Sequence, residues 1–183
     1  METLKVDIYY PPNIPTADPK EANAIQIFLA GSIEQGKAEN WQEKLIKDLG
    51  TLKLPNSLSE NDLCRTSLTI YNPRRPDWNP NLPQDAMNAT LQEQIIWELD
   101  HLEKANVICL YLDPNTTSPI SLLELGIHMR SGKIVVCCPP GFYRKANIDL
   151  TCHKYGVNVS DSYQDFYQKL KEKIVGAAEN KII

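Results

Sequence analysis

The chain has 183 residues, with 23 acidic and 19 basic side chains and a formal net charge of −4, enough length for one domain with a buried core. So even a balance offers no basic surface to a nucleic-acid polymer or an anionic membrane, and no apolar run is long enough to span a bilayer. Five cysteines form no Cys-x-x-Cys pair and the three histidines (His101, His128, His153) are scattered, so no metal site is expected. Reduced thiols and the lack of an apolar signal core in Met1 to Tyr10 fit a cytoplasmic protein.

Residues 1–24 hold Pro11, Pro12, Pro15 and Pro19 and read as an extended N-terminal arm, followed by a single domain over 25–175. Ile25 to Ala30 is a strand that runs into Gly31-Ser32. A helix around Ala38–Leu49 follows, with Trp41, Leu45 and Leu49 at helical spacing. Backbone N–H groups after such a strand can meet an anion. Without G-x-G-x-x-G or a P-loop lysine, a tight turn explains the fragment equally well. Residues 50–67 are polar and irregular. A short strand, Leu68 to Tyr71, leads into Asn-Pro-Arg-Arg-Pro-Asp-Trp (72–78), where prolines stiffen the backbone, Arg74 and Arg75 offer planar donors and Trp78 a stacking face. That loop is either a rigid surface turn or a ligand contact.

Thr90 and Glu93 have capping-box spacing for a helix over about 91–105, which would turn Leu91, Ile95, Leu99 and Leu102 to the sheet and Gln94, Glu98 and His101 to another face. The most apolar strand, Val107 to Leu112, passes through a polar loop (113–117) to a helix that Ser118 can cap, Pro119 can open and Gly132 can end. Ile120, Leu123 and Ile127 share one of its faces, and Leu122, Leu125 and Met129 widen the stripe. Glu124 stands in this apolar setting, where a carboxylate is unfavourable unless it is paired, hydrogen-bonded or open to a cleft. Spacing alone leaves a structural and a functional reading open. Ile134 to Cys138 is a further strand, 142–147 a loop with Arg144 and Lys145, and 157–159 a short strand. A last helix over 163–175 turns Phe166, Leu170 and Ile174 inward, and 176–183 is a frayed tail.

Strands alternating with helices predict an α/β fold: a flavodoxin-like, Rossmann-like three-layer sandwich on a five-stranded, mainly parallel sheet of order 2-1-3-4-5. Ligands of such sheets bind beyond the carboxyl ends of the strands. Gly31-Ser32, Arg74 to Trp78, the 113–118 loop and Arg144 to Asn147 all fall at those ends.

Taken together, Phe-Leu-Ala-Gly-Ser (28–32), Tyr-Asn-Pro-Arg-Arg-Pro-Asp-Trp (71–78), Gln-Ile-Ile-Trp-Glu-Leu (94–99), Pro-Ile-Ser-Leu-Leu-Glu-Leu-Gly (119–126) and Arg-Lys-Ala-Asn (144–147) resemble the nucleoside 2-deoxyribosyltransferase-like proteins over about residues 25–160. The resemblance implies that Glu124 attacks the anomeric carbon of a nucleoside, assisted by Glu98, with Asp100 as a near alternative. It implies a substrate site drawing on Gly31, Ser32, Arg74, Arg75, Asp77 and Trp78, and on Ser118 and Asn147. Substrates would be a nucleoside or nucleotide and a free base, with no cofactor, in a homo-oligomer. Three departures are visible: Ile27 or Phe28 stands where these transferases carry a Tyr, Ser118 where they carry an Asp, and their C-terminal segment is not recognisable. They point to the broader branch, which includes nucleotide N-glycosidases, and they admit a second reading as a non-catalytic nucleotide sensor.

Overall fold

The computed structural model describes residues 4–19, 24–53 and 67–182. Most of the polar stretch expected over 50–67, with Cys64, lies outside them. Six strands form one sheet: β1 (Lys5–Tyr9), β2 (Ile25–Gly31), β3 (Ser67–Tyr71), β4 (Val107–Tyr111), β5 (Ile134–Cys137) and β6 (Val159–Ser160), in the order β1-β3-β2-β4-β5-β6. Every pairing is parallel. The last five strands follow the predicted 2-1-3-4-5 order. The sixth corrects the prediction, because the expected arm begins as a strand paired with β3 from Lys5↔Ser67 to Tyr9↔Tyr71. Its prolines come after the pairing, so they do not interrupt it. The outer position also suits the Lys5–Asp7 ion pair, since charged side chains discourage further pairing at a sheet edge.

The described helices are α1 (Trp41–Leu49), α2 (Ala89–Lys104), α3 (Pro119–His128), α4 (Lys145–Lys154) and α5 (Tyr163–Ile182). Alternate strand residues feed two cores. Ile27, Leu29, Cys109 and Cys137 pack with Trp41 and Leu45 of α1 and Phe166 and Leu170 of α5. Phe28, Ala30, Leu110 and Val136 pack with Trp97 of α2, Leu125 of α3 and Ile148 of α4. The carboxyl-bearing helices α2 and α3 therefore share one face of the sheet, and both pack against β2. Among the described residues no helix is long and apolar enough to cross a membrane.

Several local expectations are revised. Helix α4 begins within the loop expected over 142–147, and α5 continues to Ile182 where a frayed tail is expected from residue 176. Asn88, not Thr90, caps α2 by accepting from the Leu91 N–H. Inward on α2 are Leu91, Gln94, Trp97, His101 and Leu102, while Ile95 and Leu99 face out. Trp97 sets this rotation by packing on Phe28 and Tyr71, and the His101 ring lies 4.1 Å from that of Tyr71. On α3, Ser121, Leu125 and His128 turn inward, leaving Ile120, Leu123 and Ile127 exposed. A helix apolar on most of its circumference gives periodicity no single face to choose. Its end at His128 also comes before Gly132.

Candidate active site

At the carboxyl edge of the sheet, β2 ends on Gly31 with φ +126°, opposite Tyr111 of β4. A Cβ there would lie 2.2 Å from the Tyr111 carbonyl oxygen, so only glycine lets the two strands end side by side. Ser32 follows, fully buried, and its Oγ accepts from the Asp113 N–H at 2.8 Å. The same oxygen lies 2.9 Å from Thr116 Oγ1 and 2.6 Å from Ser118 Oγ, with 2.7 Å between the latter two. Thr116 gives its proton to the Asp113 carbonyl, so the protons of Ser32 and Ser118 serve the triangle. Ser118 thus ties the loop instead of capping α3. It makes no capping bond and adopts a left-handed backbone at φ 46°. Such a conformation is strained by about 1–3 kcal/mol and persists where surrounding bonds hold it.

The loop after β2 is fastened to its neighbours. Glu34, itself at φ 41°, accepts from the N–H and hydroxyl of Thr117. Asp113 Oδ2 accepts from the Glu39 N–H at 2.8 Å, and Tyr111 donates to Glu39 Oε1 at 2.6 Å. Arg74, a ligand donor by expectation, directs its guanidinium to the carbonyls of Ala38 and Glu39 and to Gln42 Oε1. A depression of about 470 Å³ lined by Lys37, Glu39, Tyr111 and Asp113 opens here, and another of about 440 Å³ lies by Asp149, His153 and Asp161. Neither contains Glu98 or Glu124.

The remaining predicted residues are spread out. Arg75 forms a two-point pair with Asp77 at 2.9 and 3.0 Å and lies 6.0 Å from the Trp78 ring. Trp78 is half-buried, whereas Asp77 is exposed. Asp100 is exposed on α2, about 200° around the helix from Glu98. Asn147 is exposed on the first turn of α4, on the β5–β6 side of the sheet. Nothing brings either residue to the two glutamates.

Glu98 and Glu124 lie near enough for the charge of Glu98 to act on Glu124. Both are half-buried, from α2 and α3 respectively. Burial lifts the Glu124 carboxyl to about 8, and the charge of Glu98 adds to the lift. Burial likewise raises Glu98, to about 7, against a bond from Gln94 that lowers it. Gln94 is the residue that sequence reasoning missed. Its Nε2 donates to Glu98 Oε1 at 2.6 Å and to the Pro73 carbonyl at 3.1 Å, linking the acid to the Asn-Pro turn after β3. Only the i, i+4 spacing to Glu98 signals it in sequence. No basic side chain bonds either carboxyl among the described residues, and neither is shut away from solvent without a partner. Two such acids near neutrality can divide one proton between them and act as acid and base. No cluster of three or more His, Cys, Asp or Glu suited to a metal occurs among the described residues.

Comparison with curated proteins returns no match. A family model described as nucleoside 2-deoxyribosyltransferase like matches residues 24–142, a span that runs from β2 past β5 and holds both glutamates, Gln94 and the Ser32–Thr116–Ser118 junction. On that match the chain belongs to the nucleoside 2-deoxyribosyltransferase-like family.

Proposed function

We propose that this protein cleaves the N-glycosidic bond of a (deoxy)nucleoside or nucleotide through a covalent glycosyl–Glu124 intermediate and passes the sugar to another base or to water. The observation that carries the reading is the pair itself: two carboxyl groups from neighbouring helices, electrostatically coupled and both raised toward neutrality. At rest the pair's one proton favours Glu124, at about 8, over Glu98, at about 7, and the reactive arrangement is the one in which that proton stands on Glu98. Glu124 as carboxylate attacks C1′, the C1′–N bond breaks, and its electrons leave with the base, which takes the Glu98 proton. The acceptor base or water then attacks C1′ from the vacated face, gives its proton to Glu98 and releases Glu124. This is the two-step logic of retaining glycosidases. Trp78 supplies a stacking face for the base, and the Ser118 turn fixes the start of the helix that carries Glu124.

A homo-oligomer belongs to this reading. Ile95, Ile96 and Leu99 of α2 and Ile120, Leu123 and Ile127 of α3 are 43–61% exposed on the helices that hold the site. Large apolar groups gathered this way suit a second copy of the chain. Sedimentation equilibrium of the wild-type protein should give a multiple of 20.7 kDa, and a monomer at micromolar concentration would count against it.

The chemistry is tested by incubating wild-type protein with a 2-fluorinated nucleoside, which slows breakdown of the ester, and locating the sugar by peptide mass spectrometry. The label is expected on Glu124. Glu124→Gln should retain binding of a nucleoside panel but lose at least about 10³-fold in turnover, since the nucleophile is gone. Full turnover in that variant would sink the mechanism, and a label on Glu98 would exchange the two roles. Binding of nucleotides by wild-type protein without turnover of any would favour the sensor reading.

A further inference from the structure

Gln94 is buried, with 6% of its surface exposed, on the inward face of α2. Both of its amide protons are used: one goes to the Pro73 carbonyl at 3.1 Å and the other to Glu98 Oε1 at 2.6 Å. Its own Oε1 is the one buried side-chain polar atom without a partner among the described residues. A buried oxygen left unpaired is unfavourable, and an amide would ordinarily be turned to relieve it. Here turning would bring Gln94 Oε1 against the Pro73 carbonyl oxygen, two acceptors facing one another, and would strand the NH₂ group. The Pro73 carbonyl therefore holds the amide with its donor toward Glu98, at the expense of the orphan oxygen. Pro73 is itself fixed in the stiff turn after β3, where the buried Asn72 side chain accepts from the Arg74 N–H.

We infer that Gln94 is a positioning residue for the acid: by occupying Oε1 of Glu98 it makes Oε2 the oxygen that carries the proton. This rests on the glycosyl-transfer reading for its use, though not for its geometry. A neutral carboxyl has one oxygen that accepts and one that bears hydrogen. With the amide donating to Oε1, the proton has only Oε2, to which no protein group bonds among the described residues and which is not sealed from solvent. When that proton leaves for the departing base, the Gln94 bond becomes charge-assisted and strengthens. Gln94 thereby stabilises the state after transfer more than the state before it, which is the differential that accelerates a step. Among the described residues, the other titratable group that interacts with Glu98 is Glu124 of α3. Arg74, on the adjoining turn, is directed to Ala38, Glu39 and Gln42, and Arg75 to Asp77.

The test is a titration that needs no substrate. Full-length protein labelled with δ-¹³C glutamate is followed by carboxyl NMR, with Glu98 and Glu124 assigned from the spectra of Glu98→Gln and Glu124→Gln. In Gln94→Met, which keeps length but has no donor, the Glu98 midpoint should rise by about 1–2 pH units. The Glu124 midpoint should fall, because its neighbour now stays neutral to higher pH. Loosened packing alone would move both midpoints down toward the ordinary glutamate range, and that result would overturn the inference, as would an unchanged Glu98. Gln94→Asn, too short to span both partners, should shift Glu98 in the same direction. If neither variant folds, the Gln94 side-chain amide signals of ¹⁵N-labelled wild-type protein must still move with the Glu98 midpoint, and signals indifferent to it would refute the contact. With a nucleoside substrate, Gln94→Met should lose about tenfold or more in kcat with KM little changed. Failure of the wild-type protein to turn over any nucleoside would refute the glycosyl-transfer reading, while the titration would still decide whether Gln94 controls Glu98.

Discussion

Two groups of polar side chains lie toward the carboxyl edge of this sheet, and they differ in how completely they are partnered. Around Ser32, the hydroxyls of Thr116 and Ser118, the Asp113 backbone and the Trp41 indole N–H close a network linking β2, the β4–α3 loop and α1. Across the edge, Glu98 and Glu124 have one amide between them and no cation. A saturated network fixes shape, because each member is held by its neighbours and has nothing left to offer a ligand. The carboxyl pair keeps three of its four oxygens without a protein partner among the described residues and is shifted toward neutrality by burial, the condition under which a proton moves readily. Partner accounting thus separates scaffold from chemistry within one edge of one sheet.

The largest effect expected from breaking this contrast lies in the saturated half. Ser32→Ala removes the acceptor of the Asp113 N–H and a member of the hydroxyl triangle, all in a region without water access at that side chain. The loss should be on the order of 2–3 kcal/mol, since a buried donor is left unpaired. Urea unfolding monitored by tryptophan fluorescence measures it, and Trp41, which donates to the Ser32 carbonyl, reports from the spot. A change below about 0.5 kcal/mol would mean that water or a rearranged Thr116 replaces the bond, and that the network is not what sets the loop.

That contrast also explains what could be read from the sequence. The strands β2 to β6 were legible because buried parallel strands are short apolar runs, and their order followed from alternation with helices. Strand β1 was not, because a run with Lys5 and Asp7 beside a cluster of prolines carries no buried-strand signature and is defined only by its pairing with β3. Helix α4 was missed for a similar reason: Ala146, Asn147, Asp149 and Thr151 give weak amphipathic contrast, with Ile148 and Cys152 its buried residues. On α2 and α3 the error was of rotation. Apolar residues stand on both sides of each helix, and the inward face also takes Gln94, His101, Ser121 and His128. Glu124 stood out as an acid in an apolar setting, whereas Glu98 entered only through the family resemblance. The roles of Arg74 and Ser118 depend on partners 32 or more and 86 residues away, which no local pattern reveals, and Gln94 shows locally only its spacing to Glu98, while the Pro73 carbonyl that orients it is 21 residues away.

A smaller effect, of opposite sign, is expected in the unsaturated half. Folded Glu98 and Glu124 titrate near 7 and 8, above the ordinary 4.5. Between about pH 4.5 and 8 the folded protein therefore binds protons that the unfolded chain has lost. Stability must fall as pH rises through that window, and the loss is complete above it. Glu124→Gln removes one of the two charges, so it should gain on the wild type as pH rises. The gain should be near zero at pH 4 and on the order of 1–2 kcal/mol at pH 9, after discounting for partial exposure. Paired thermal melts across that range check the sign. A variant less stable than wild type at pH 9 would show that Glu124 has a stabilising partner, which would merge the two halves of the comparison into one scaffold.

The smallest effect on stability belongs to the Arg75–Asp77 pair, which sits between the two cases. Its two bonds to Asp77 look saturated, but Asp77 is exposed, with 69% of its side chain in solvent, and water can replace it with little loss. Asp77→Asn should therefore leave the unfolding midpoint almost unchanged, whereas Arg75, with 14% of its side chain in solvent, also packs against its surroundings and loses more on truncation. Arg74 differs, because its guanidinium serves backbone carbonyls of the loop after β2 and is not free without disturbing them. If a 5′-nucleotide is a substrate, Arg75 is the arginine able to exchange its carboxylate for a phosphate, keeping the two-point geometry while staying beside Trp78. Arg75→Ala should then weaken binding of a 5′-nucleotide by about tenfold or more and leave the matching nucleoside unaffected, since a charge-assisted contact contributes roughly 1.5–3 kcal/mol. Calorimetry with both ligands reads the difference directly. Equal weakening of the two would assign Arg75 to the shape of the 72–78 loop, and no change in either would leave it a surface pair.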